Sequence, residues 1–286
     1  MSKKKILILG STGMLGHQVY YYLHSLKIYR LFDISYRNKL SSQTIILDVS
    51  DLNLLKRTIS EIKPDFIINC IGVLIKGSEN YKNAVYINSE LPHHLKDIVK
   101  ESKAKLIHIS TDCVFSGKKG LYKENDPRDG IGNYAETKIM GEILTGDNLT
   151  LRTSIIGPEL KSNGEGLFHW FMNQNGDVEG YNNSIWSGVT SFELAKAIGW
   201  AIETNVNGVY HITNNSIINK YELLKLFKKY TDKKINIIQF NNDKVDKSLV
   251  DTRKLLTYPI PTFDEMVASM IEKIKANKGL YCKYDI

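Results

Sequence analysis

A short apolar run near the start of the chain leads directly into a glycine-rich turn. Ile6-Leu7-Ile8-Leu9 has the character of a buried strand, and the turn Gly10-Ser-Thr-Gly13-Met-Leu-Gly16 follows it and opens an amphipathic stretch. Glycines here permit a tight bend and a close approach of the backbone to a pyrophosphate, which also meets free amides at the start of the helix. The predicted dinucleotide contacts are Gly10, Thr12, Gly13, Met14, Leu15 and Gly16.

The order of apolar patterns in the first half of the chain predicts a parallel sheet. β-Branched runs alternate with amphipathic stretches, which is typical of consecutive βαβ units. Strands are expected near residues 5–9, 31–35, 66–70, 106–110 and 150–153, and helices near 14–26, 52–62, 92–101 and 133–144. Residues 83–91 are also expected to be helical. Pro92 should mark a break or a restart, because proline lacks the N–H that an interior helical position needs.

The alternation weakens after Gly157, where glycine- and asparagine-rich stretches separate short elements. A helix near 192–203 and a strand near 209–212 are regular enough to return to the main sheet, and helices near 221–230 and 263–275 follow. We therefore predict an α/β protein, a Rossmann-type doubly wound parallel sheet with a smaller, interleaved C-terminal substrate-binding domain. The predicted division is 1–156 with 187–213 for the cofactor domain, and 157–186 with 214–286 for the substrate-binding region.

Composition narrows the classes of partner. The 286 residues are 42% hydrophobic, enough to bury a core without metal or disulfide support. The formal charge of +7 includes no basic block interleaved with aromatic residues, so we expect an anionic small substrate and no nucleic acid. Cys70, Cys113 and Cys282 are far apart, which predicts no metal site and a reducing, cytoplasmic location. No apolar run approaches the ~20 residues that cross a bilayer, so no membrane partner is expected.

The end of the second strand bears on the choice of cofactor. Arg37 follows Ser35-Tyr36 there, and an arginine can pair with the 2′-phosphate of NADP, whereas a carboxylate would bind the ribose diol of NAD. Asp33 lies earlier in the strand and is a weaker candidate. We predict NADP(H), with NAD(H) as the alternative. Further predicted cofactor contacts are Asp48, Val49, Cys70, Ile71, Gly72, Ser110 and Ile155.

Tyr134 and Lys138 are the candidate catalytic pair. Their i, i+4 spacing puts both side chains on one helical face. The same spacing recurs at Tyr221/Lys225 and Tyr230/Lys234, where surface packing is the simpler explanation. Context distinguishes the first pair, because Ser110-Thr111-Asp112 ends the fourth strand at the edge of the sheet where open α/β folds bind ligands.

This set of residue types suits the reduction of a ketone. A tyrosine with a pKa of about 10 needs help to exchange protons at neutral pH, and the Lys138 ammonium would favour its phenolate. Lys138 could also bond the nicotinamide ribose. Thr111 would bond the carbonyl oxygen as the hydride arrives, and Tyr134 would then protonate the alkoxide. Tyr134 and Lys138 therefore count as both catalytic and cofactor-binding residues.

The motifs resemble a known family. Ser110-Thr-Asp-Cys-Val-Phe-Ser-Gly117, Tyr122-Lys-Glu124 and Tyr134-Ala-Glu-Thr-Lys138-Ile-Met-Gly-Glu142 are similar to the extended short-chain dehydrogenases, closest to the dTDP-4-dehydrorhamnose reductase family. The resemblance covers nearly the whole chain, including Trp186-Ser-Gly-Val-Thr190 and Ser248-Leu249. It implies reduction of the 4-keto group of a nucleotide-linked 6-deoxyhexose, with Thr111, Tyr134 and Lys138 catalytic and Asp112 assisting substrate binding.

Two departures from the family leave the sugar open. Cys113 stands where an aromatic residue is common, and Ile155 stands near the position of a tryptophan in the wall facing the sugar. A UDP-linked N-acetylated 4-keto sugar is therefore as plausible as dTDP-4-dehydrorhamnose. Candidate substrate contacts besides Asp112 are Lys76, His169, Trp186 and Thr190. For His169 a packed core histidine is the favoured explanation, and for Trp186 core packing is an equal alternative.

Three other functions compete with the reductase. A 4,6-dehydratase would place an acidic pair after the threonine, but Cys113 follows Asp112 here. An epimerase of the same fold survives and would be indicated by tightly retained NAD. A non-catalytic, reductase-like regulatory subunit is the third, although such a subunit has no need of Thr111, Tyr134 and Lys138. A homodimer is compatible with the sequence, which does not determine the oligomeric state.

Overall fold

The central layer is a seven-stranded sheet in which every pairing is parallel. The structure is a computed structural model and describes residues 3–254 and 259–286. The strands of this sheet are β1 (Lys5–Leu9), β2 (Arg30–Ser35), β3 (Ile45–Ile46), β4 (Phe66–Asn69), β5 (Lys105–Thr111), β6 (Leu149–Thr153) and β11 (Gly208–His211). Their order is β3-β2-β1-β4-β5-β6-β11, the doubly wound arrangement predicted from the alternating pattern.

Helices cover both faces of the sheet because its strands carry apolar side chains on both sides. Those flanking it are α1 (Gly16–Leu26), α2 (Leu52–Ile62), α3 (Tyr81–Val85), α4 (Leu91–Ser102), α5 (Asn133–Met140) and α7 (Ser191–Thr204). Ile6 and Ile8 of β1 belong to the same core cluster as apolar residues of α1 and α7. Leu7 and Leu9 join apolar residues of α2 and α4 in a second cluster. Alternation along one strand therefore builds two cores.

The segment around Pro92 is helical throughout, with a change of winding. Residues Tyr86–Glu90 form a π-helical turn that joins α3 to α4, and Pro92 lies in the first turn of α4. The predicted restart at Pro92 is therefore confirmed. Proline cannot donate to the carbonyl four residues earlier, which belongs to Asn88. Gly141 packs against that carbonyl, and a Cβ atom there would lie 1.8 Å from the Asn88 oxygen.

Short elements make up most of the chain after β6. They are β7 (Ile155–Ile156), α6 (Leu167–Met172), β8 (Gly176–Tyr181), β9 (Ser184–Trp186), β10 (Val189–Thr190), β12 (Ile218–Asn219), α8 (Lys220–Tyr230), β13 (Ile235–Phe240), β14 (Val245–Asp246) and α9 (Phe263–Ala276). β8 pairs with β13, β7 with β10, and β9 lies between β12 and β14. The predicted helices near 221–230 and 263–275 are present, whereas the two- and three-residue strands carry too little pattern to be predicted.

Within the described ranges, no helix is long and apolar enough to span a bilayer.

Candidate active site

The glycine-rich turn folds as the sequence predicts, for steric reasons that the structure makes explicit. Gly10 has a φ of +79°, a conformation that glycine adopts without strain. A Cβ atom at Gly16 would lie 2.1 Å from the Gly10 carbonyl oxygen, so only glycine lets α1 begin this close to β1. The turn therefore brings bare backbone to the carboxyl edge of the sheet.

The amides of this turn are available to an anion. Those of Thr12, Met14 and Leu15 donate to no acceptor in the described part of the chain, and no side chain caps the start of α1. Unsatisfied N–H groups and the positive end of the helix dipole meet at this point. Such a site fits the pyrophosphate of a dinucleotide.

The two charged residues near the end of β2 that could contact the cofactor ribose, Asp33 and Arg37, lie in different environments. Asp33 is 2% exposed, and its carboxylate accepts a hydrogen bond of 2.6 Å from Ser11 Oγ, so Asp33 supports the turn from below. Arg37 is exposed, with its guanidinium 4.5 Å from the centre of the Tyr36 ring. Only Arg37 of the two is therefore free to meet a ligand at the surface.

The remaining predicted cofactor contacts lie around the ends of β3 and β4. Asp48 is exposed, and its Oδ1 accepts from the Ser50 amide at 2.9 Å. The Val49 carbonyl accepts from Tyr86 Oη at 2.7 Å. Cys70, Ile71 and Gly72 follow β4, the strand beside β1, so they reach the same sheet edge as the glycine-rich turn.

Thr111, at the end of β5, is the centre of a cluster of polar side chains. Its Oγ1 donates to Asp112 Oδ1 at 3.0 Å and accepts from the Cys113 amide at 3.1 Å. Burial, with the neighbouring Cys113 thiol, raises the pKa of the half-buried Tyr134 phenol, while a side-chain hydrogen bond with Thr111 opposes the shift. The structure thus brings Thr111, Asp112 and Tyr134 together, as the strand-end argument predicted.

Lys138 lies on the same helix as Tyr134 but makes a different contact from the one predicted. Its Nζ donates to the Ile109 carbonyl at 2.8 Å, and burial lowers its pKa from 10.5 to about 8. The groups that shift the pKa of Tyr134 in the described chain are Cys113, Thr111 and Asp112. Stabilisation of the Tyr134 phenolate by Lys138 therefore stays a prediction, and the amine is held against β5.

Ser110 faces a buried ionic network that the sequence did not reveal. Its Oγ donates to Glu142 Oε1 at 2.6 Å, so for the predicted cofactor contact the hydroxyl could accept a hydrogen bond but has no proton left to donate. Glu142 also accepts from Arg152 at 2.7 and 2.8 Å and from Arg128 at 3.2 Å. A usable signal was present, because Arg152 is a charge inside a predicted core strand and such charges are almost always paired.

Two lysines from the later part of the chain face the strand end. Asp112 is buried, which raises the pKa of its carboxyl, and the positive charges of Lys247 and Lys220 oppose that shift. Burial raises the pKa of the Cys113 thiol to about 11, against a side-chain hydrogen bond from Lys247. Sequence reasoning missed both lysines, although Lys247 directly precedes the Ser248-Leu249 segment that carried part of the resemblance.

The other predicted substrate contacts have structural partners of their own. His169 Nδ1 lies 2.9 Å from Tyr284 Oη, and its Nε2 lies 3.1 Å from the Ser162 carbonyl. Trp186 is buried and packs on Phe263 with ring centres 5.6 Å apart. These placements favour the core-packing explanation for both residues. The Thr190 hydroxyl accepts from the Glu193 amide and so caps α7. Ile155 of β7 pairs with Val189 of β10 in a parallel strand pair. Lys76 is exposed in the chain after β4.

The fold and the site together define the class of this protein. The protein is an NAD(P)-dependent oxidoreductase of the extended short-chain dehydrogenase type. It has the doubly wound parallel sheet of that class, a glycine-rich turn with free amides, and a Tyr/Lys helix beside a strand-end threonine.

The chain belongs to the RmlD family, since the model of the RmlD substrate binding domain matches residues 4–275. It is 24% identical over 235 residues to dTDP-4-dehydrorhamnose reductase of Aggregatibacter actinomycetemcomitans, covering 76% of each chain. It is also 24% identical over 241 residues to methionine adenosyltransferase 2 subunit beta of Xenopus tropicalis, covering 77% of this chain and 70% of that one. The family predicted from the motifs is thereby confirmed.

A solved structure has the same fold. The dTDP-4-dehydrorhamnose reductase of Bacillus anthracis str. Ames in complex with NADP superposes with a TM-score of 0.82 at 22% identity. The match covers 95% of this chain and 100% of that one. It confirms the predicted Rossmann-type fold.

Proposed function

We propose that the protein reduces the 4-keto group of a nucleotide-linked 6-deoxyhexose, with NADPH as the hydride donor. The observation that carries this proposal is the cluster of Thr111, Asp112 and Tyr134 at the end of β5, at the same sheet edge as the free amides after β1. In this proposal residues 1–156 with 187–213 hold the cofactor, and residues 157–186 with 214–286 cover the sugar nucleotide.

The residues around the glycine-rich turn fit a dinucleotide phosphate. The amides of Thr12, Met14 and Leu15 would bind the pyrophosphate, and the exposed Arg37 would pair with a 2′-phosphate. NADP in the Bacillus anthracis reductase structure supports the same choice, with NAD as the alternative. When bound, the reduced nicotinamide supplies the hydride.

The protein's own part in the reaction is to hold the ketone and supply the proton. Burial raises the pKa of the Tyr134 phenol, so the group starts protonated, and an alkoxide is basic enough to take that proton. The Thr111 hydroxyl would bond the oxygen on which charge develops. Hydride and proton together convert the ketone to an alcohol. Lys138, whose pKa is about 8, is mostly charged at pH 7 and could bond ribose hydroxyls.

Charge at the strand end favours an anionic substrate. Lys220 and Lys247 both act on Asp112, so two ammonium groups lie close to the point where the sugar would react. A nucleoside diphosphate would supply the matching negative charge. Cys113 and Ile155 leave two sugar nucleotides open, a dTDP-4-dehydrorhamnose-like one or a UDP-N-acetylamino-4-keto sugar. Either product would feed cell-surface polysaccharide synthesis.

A panel of 4-keto-6-deoxy sugar nucleotides, generated in situ, tests the proposal. The expected result is consumption of NADPH with at least one member, slower consumption of NADH, and loss of both in Tyr134→Phe. If no member of the panel oxidises either dinucleotide, the reductase proposal is wrong. Tightly retained NAD in the purified protein would favour an epimerase.

A regulatory role is the second candidate, and one observation favours it. The similarity to methionine adenosyltransferase 2 subunit beta extends over 77% of this chain. A regulatory subunit would keep its cellular role when Tyr134 is replaced by phenylalanine, whereas a reductase would lose it. Complementation by Tyr134→Phe in a strain that lacks the protein separates the two.

A further inference from the structure

Residues 280–284, here called the tyrosine strap, fold back over the protein after α9. Tyr281 and Tyr284 are only 4% and 7% exposed. Tyr281 packs edge-on against His17 of α1, with ring centres 5.8 Å apart. Tyr284 packs against Phe168 and His169 of α6 at 5.5 and 5.7 Å. The strap therefore contacts the helix that begins at the glycine-rich turn.

The Gly13 carbonyl determines which nitrogen of His17 carries the proton, and the Tyr281 hydroxyl bonds the other nitrogen. His17 Nδ1 lies 2.7 Å from the Gly13 carbonyl oxygen, and a carbonyl can only accept, so Nδ1 is the donor. His17 Nε2 is then an acceptor for Tyr281 Oη at 2.9 Å, while Gln18 Nε2 donates to the same Oη at 2.8 Å. Burial lowers the pKa of His17 to about 4, so the ring is neutral at physiological pH.

The orientation of the Gly13 carbonyl decides where the next amide points. In a planar trans peptide the C=O and the following N–H point in opposite directions. Holding the Gly13 oxygen toward His17 therefore aims the Met14 N–H away from α1, and that amide donates to no group in the described chain. The Gly13 carbonyl also accepts from the His17 amide at 3.3 Å, so the imidazole bond of 2.7 Å is a second and shorter restraint on a peptide that glycine, with no Cβ, leaves freer.

We propose that Tyr281 is a positioning residue for the dinucleotide phosphate, acting through His17 to hold the Gly13–Met14 peptide with its N–H directed at the ligand. This proposal rests on the proposed function, because it requires a dinucleotide at the glycine-rich turn. The strap makes no contact with reacting atoms in this scheme. Its effect is on the affinity for the cofactor and leaves the chemical step unchanged.

Tyr284 supplies a matched control within the same strap. Its hydroxyl is buried like that of Tyr281 and accepts from the Glu159 amide at 2.9 Å, with His169 Nδ1 also at 2.9 Å. These partners belong to the segment after β7 and to α6. Tyr284→Phe thus removes a buried hydroxyl from the strap without touching the bond to Gly13.

The test is a direct titration of the full-length protein with NADPH and NADH, followed by fluorescence or calorimetry. Loss of one oriented hydrogen bond predicts a Kd for NADPH about threefold to tenfold higher in Tyr281→Phe, and within twofold of the unmodified protein in Tyr284→Phe. Thermal unfolding of both variants checks that they fold. With an accepted substrate, KM for NADPH rises while kcat at saturation is kept. In a His17→Gln background the change at Tyr281 should have little further effect.

Adenosine 2′-phosphate tests whether the effect of Tyr281 is confined to the pyrophosphate, because this ligand lacks that group. Its competition with NADPH should give the same inhibition constant in the unmodified protein and in Tyr281→Phe. An unchanged Kd for NADPH in Tyr281→Phe, or an equal loss in Tyr284→Phe, overturns the role of the strap and leaves the proposed function intact. Absence of dinucleotide binding by the unmodified protein overturns both.

Discussion

Arg152 and Glu142 form a two-point ion pair, shielded from solvent, directly behind the strand that ends at Thr111. Arg152 Nε and Nη2 donate to the two carboxylate oxygens at 2.7 and 2.8 Å, and the two side chains are 2% and 0% exposed. Ser110, one residue before Thr111, bonds the same carboxylate. The pair therefore joins β6, the chain after α5 and the end of β5.

Arg152→Met is expected to destabilise the fold strongly, because it leaves the Glu142 carboxylate buried with fewer partners. Removing one member of a buried pair costs about 3–5 kcal/mol, which urea unfolding would measure. Arg57→Ala is the control, since Arg57 and Glu61 are 77% and 64% exposed. Exposed pairs of this kind contribute about 0.5 kcal/mol. Equal losses in the two variants would contradict the assignment.

Tyr134→Phe is expected to lower kcat by about 10²–10⁴-fold, the usual contribution of a positioned proton donor. Thermal stability should be kept, since only a hydroxyl is removed. Tyr221→Phe is the matched control, because Tyr221 and Lys225 repeat the same spacing on α8. Comparable loss of turnover in both variants would contradict the assignment of Tyr134 as the proton donor.

Arg37→Ala is expected to raise the Kd for NADPH by about tenfold and to leave that for NADH nearly unchanged, as one charge-assisted pair with a 2′-phosphate is lost. Lys39→Ala, an exposed cation in the same loop, serves as the control. Binding titrations of both dinucleotides measure the effect. Equal weakening of NADH and NADPH would mean that Arg37 does not read the 2′-phosphate.

Lys247→Met is expected to raise KM for the sugar nucleotide without changing the Kd for NADPH, because the Lys247 ammonium acts on Asp112 and Cys113 at the substrate side of β5. Steady-state kinetics with an accepted substrate measure this. Lys244→Met removes an exposed charge from the same segment and should change neither constant. A rise in the NADPH constant alone would place Lys247 on the cofactor side.

Stability should fall as the pH is lowered from about 6.5 toward 4. Burial lowers the pKa of His17 from 6.5 to about 4 and that of His108 well below 6.5. The unfolded chain therefore takes up these protons first, and the stabilisation is complete above pH 6.5 and lost on acidification. Urea midpoints across this range measure it. His17→Gln should reduce the dependence of the urea midpoint on pH, and His24→Gln at an exposed position should not. An equal dependence in the unmodified protein and both variants would contradict His17 as its source.

The parts predicted well from the sequence are those set by near neighbours along the chain. An apolar run before Gly10 specified β1 and the turn, because a strand followed by closely spaced glycines has few other ways to fold. Consecutive alternating patterns predicted the doubly wound parallel sheet and its strands other than β3. By contrast, β7, β9 and β10 are only two or three residues long. Strands this short have too little periodicity to separate them from loops.

The site residues also fall into those that local patterns predict and those that only distant contacts explain. Thr111 and Tyr134 were predicted to lie at one sheet edge because each sits on a regular element whose end the pattern locates. His169 and Trp186 were polar or aromatic residues in an irregular region, and only their neighbours Tyr284 and Phe263 reveal packing as their role. Spacing placed Lys138 beside Tyr134 but could not say that its amine bonds Ile109.

The sequence by itself therefore determined the class of fold, the glycine-rich turn and the Tyr134 helix. Tertiary structure alone decided the partners of the buried charges and of the strap. The contact between His17 and Tyr281 joins residues 264 positions apart, and the bond between Ser110 and Glu142 joins residues 32 apart. Local spacing carries no information about such pairs, because they are created by the packing of whole elements once the sheet has formed.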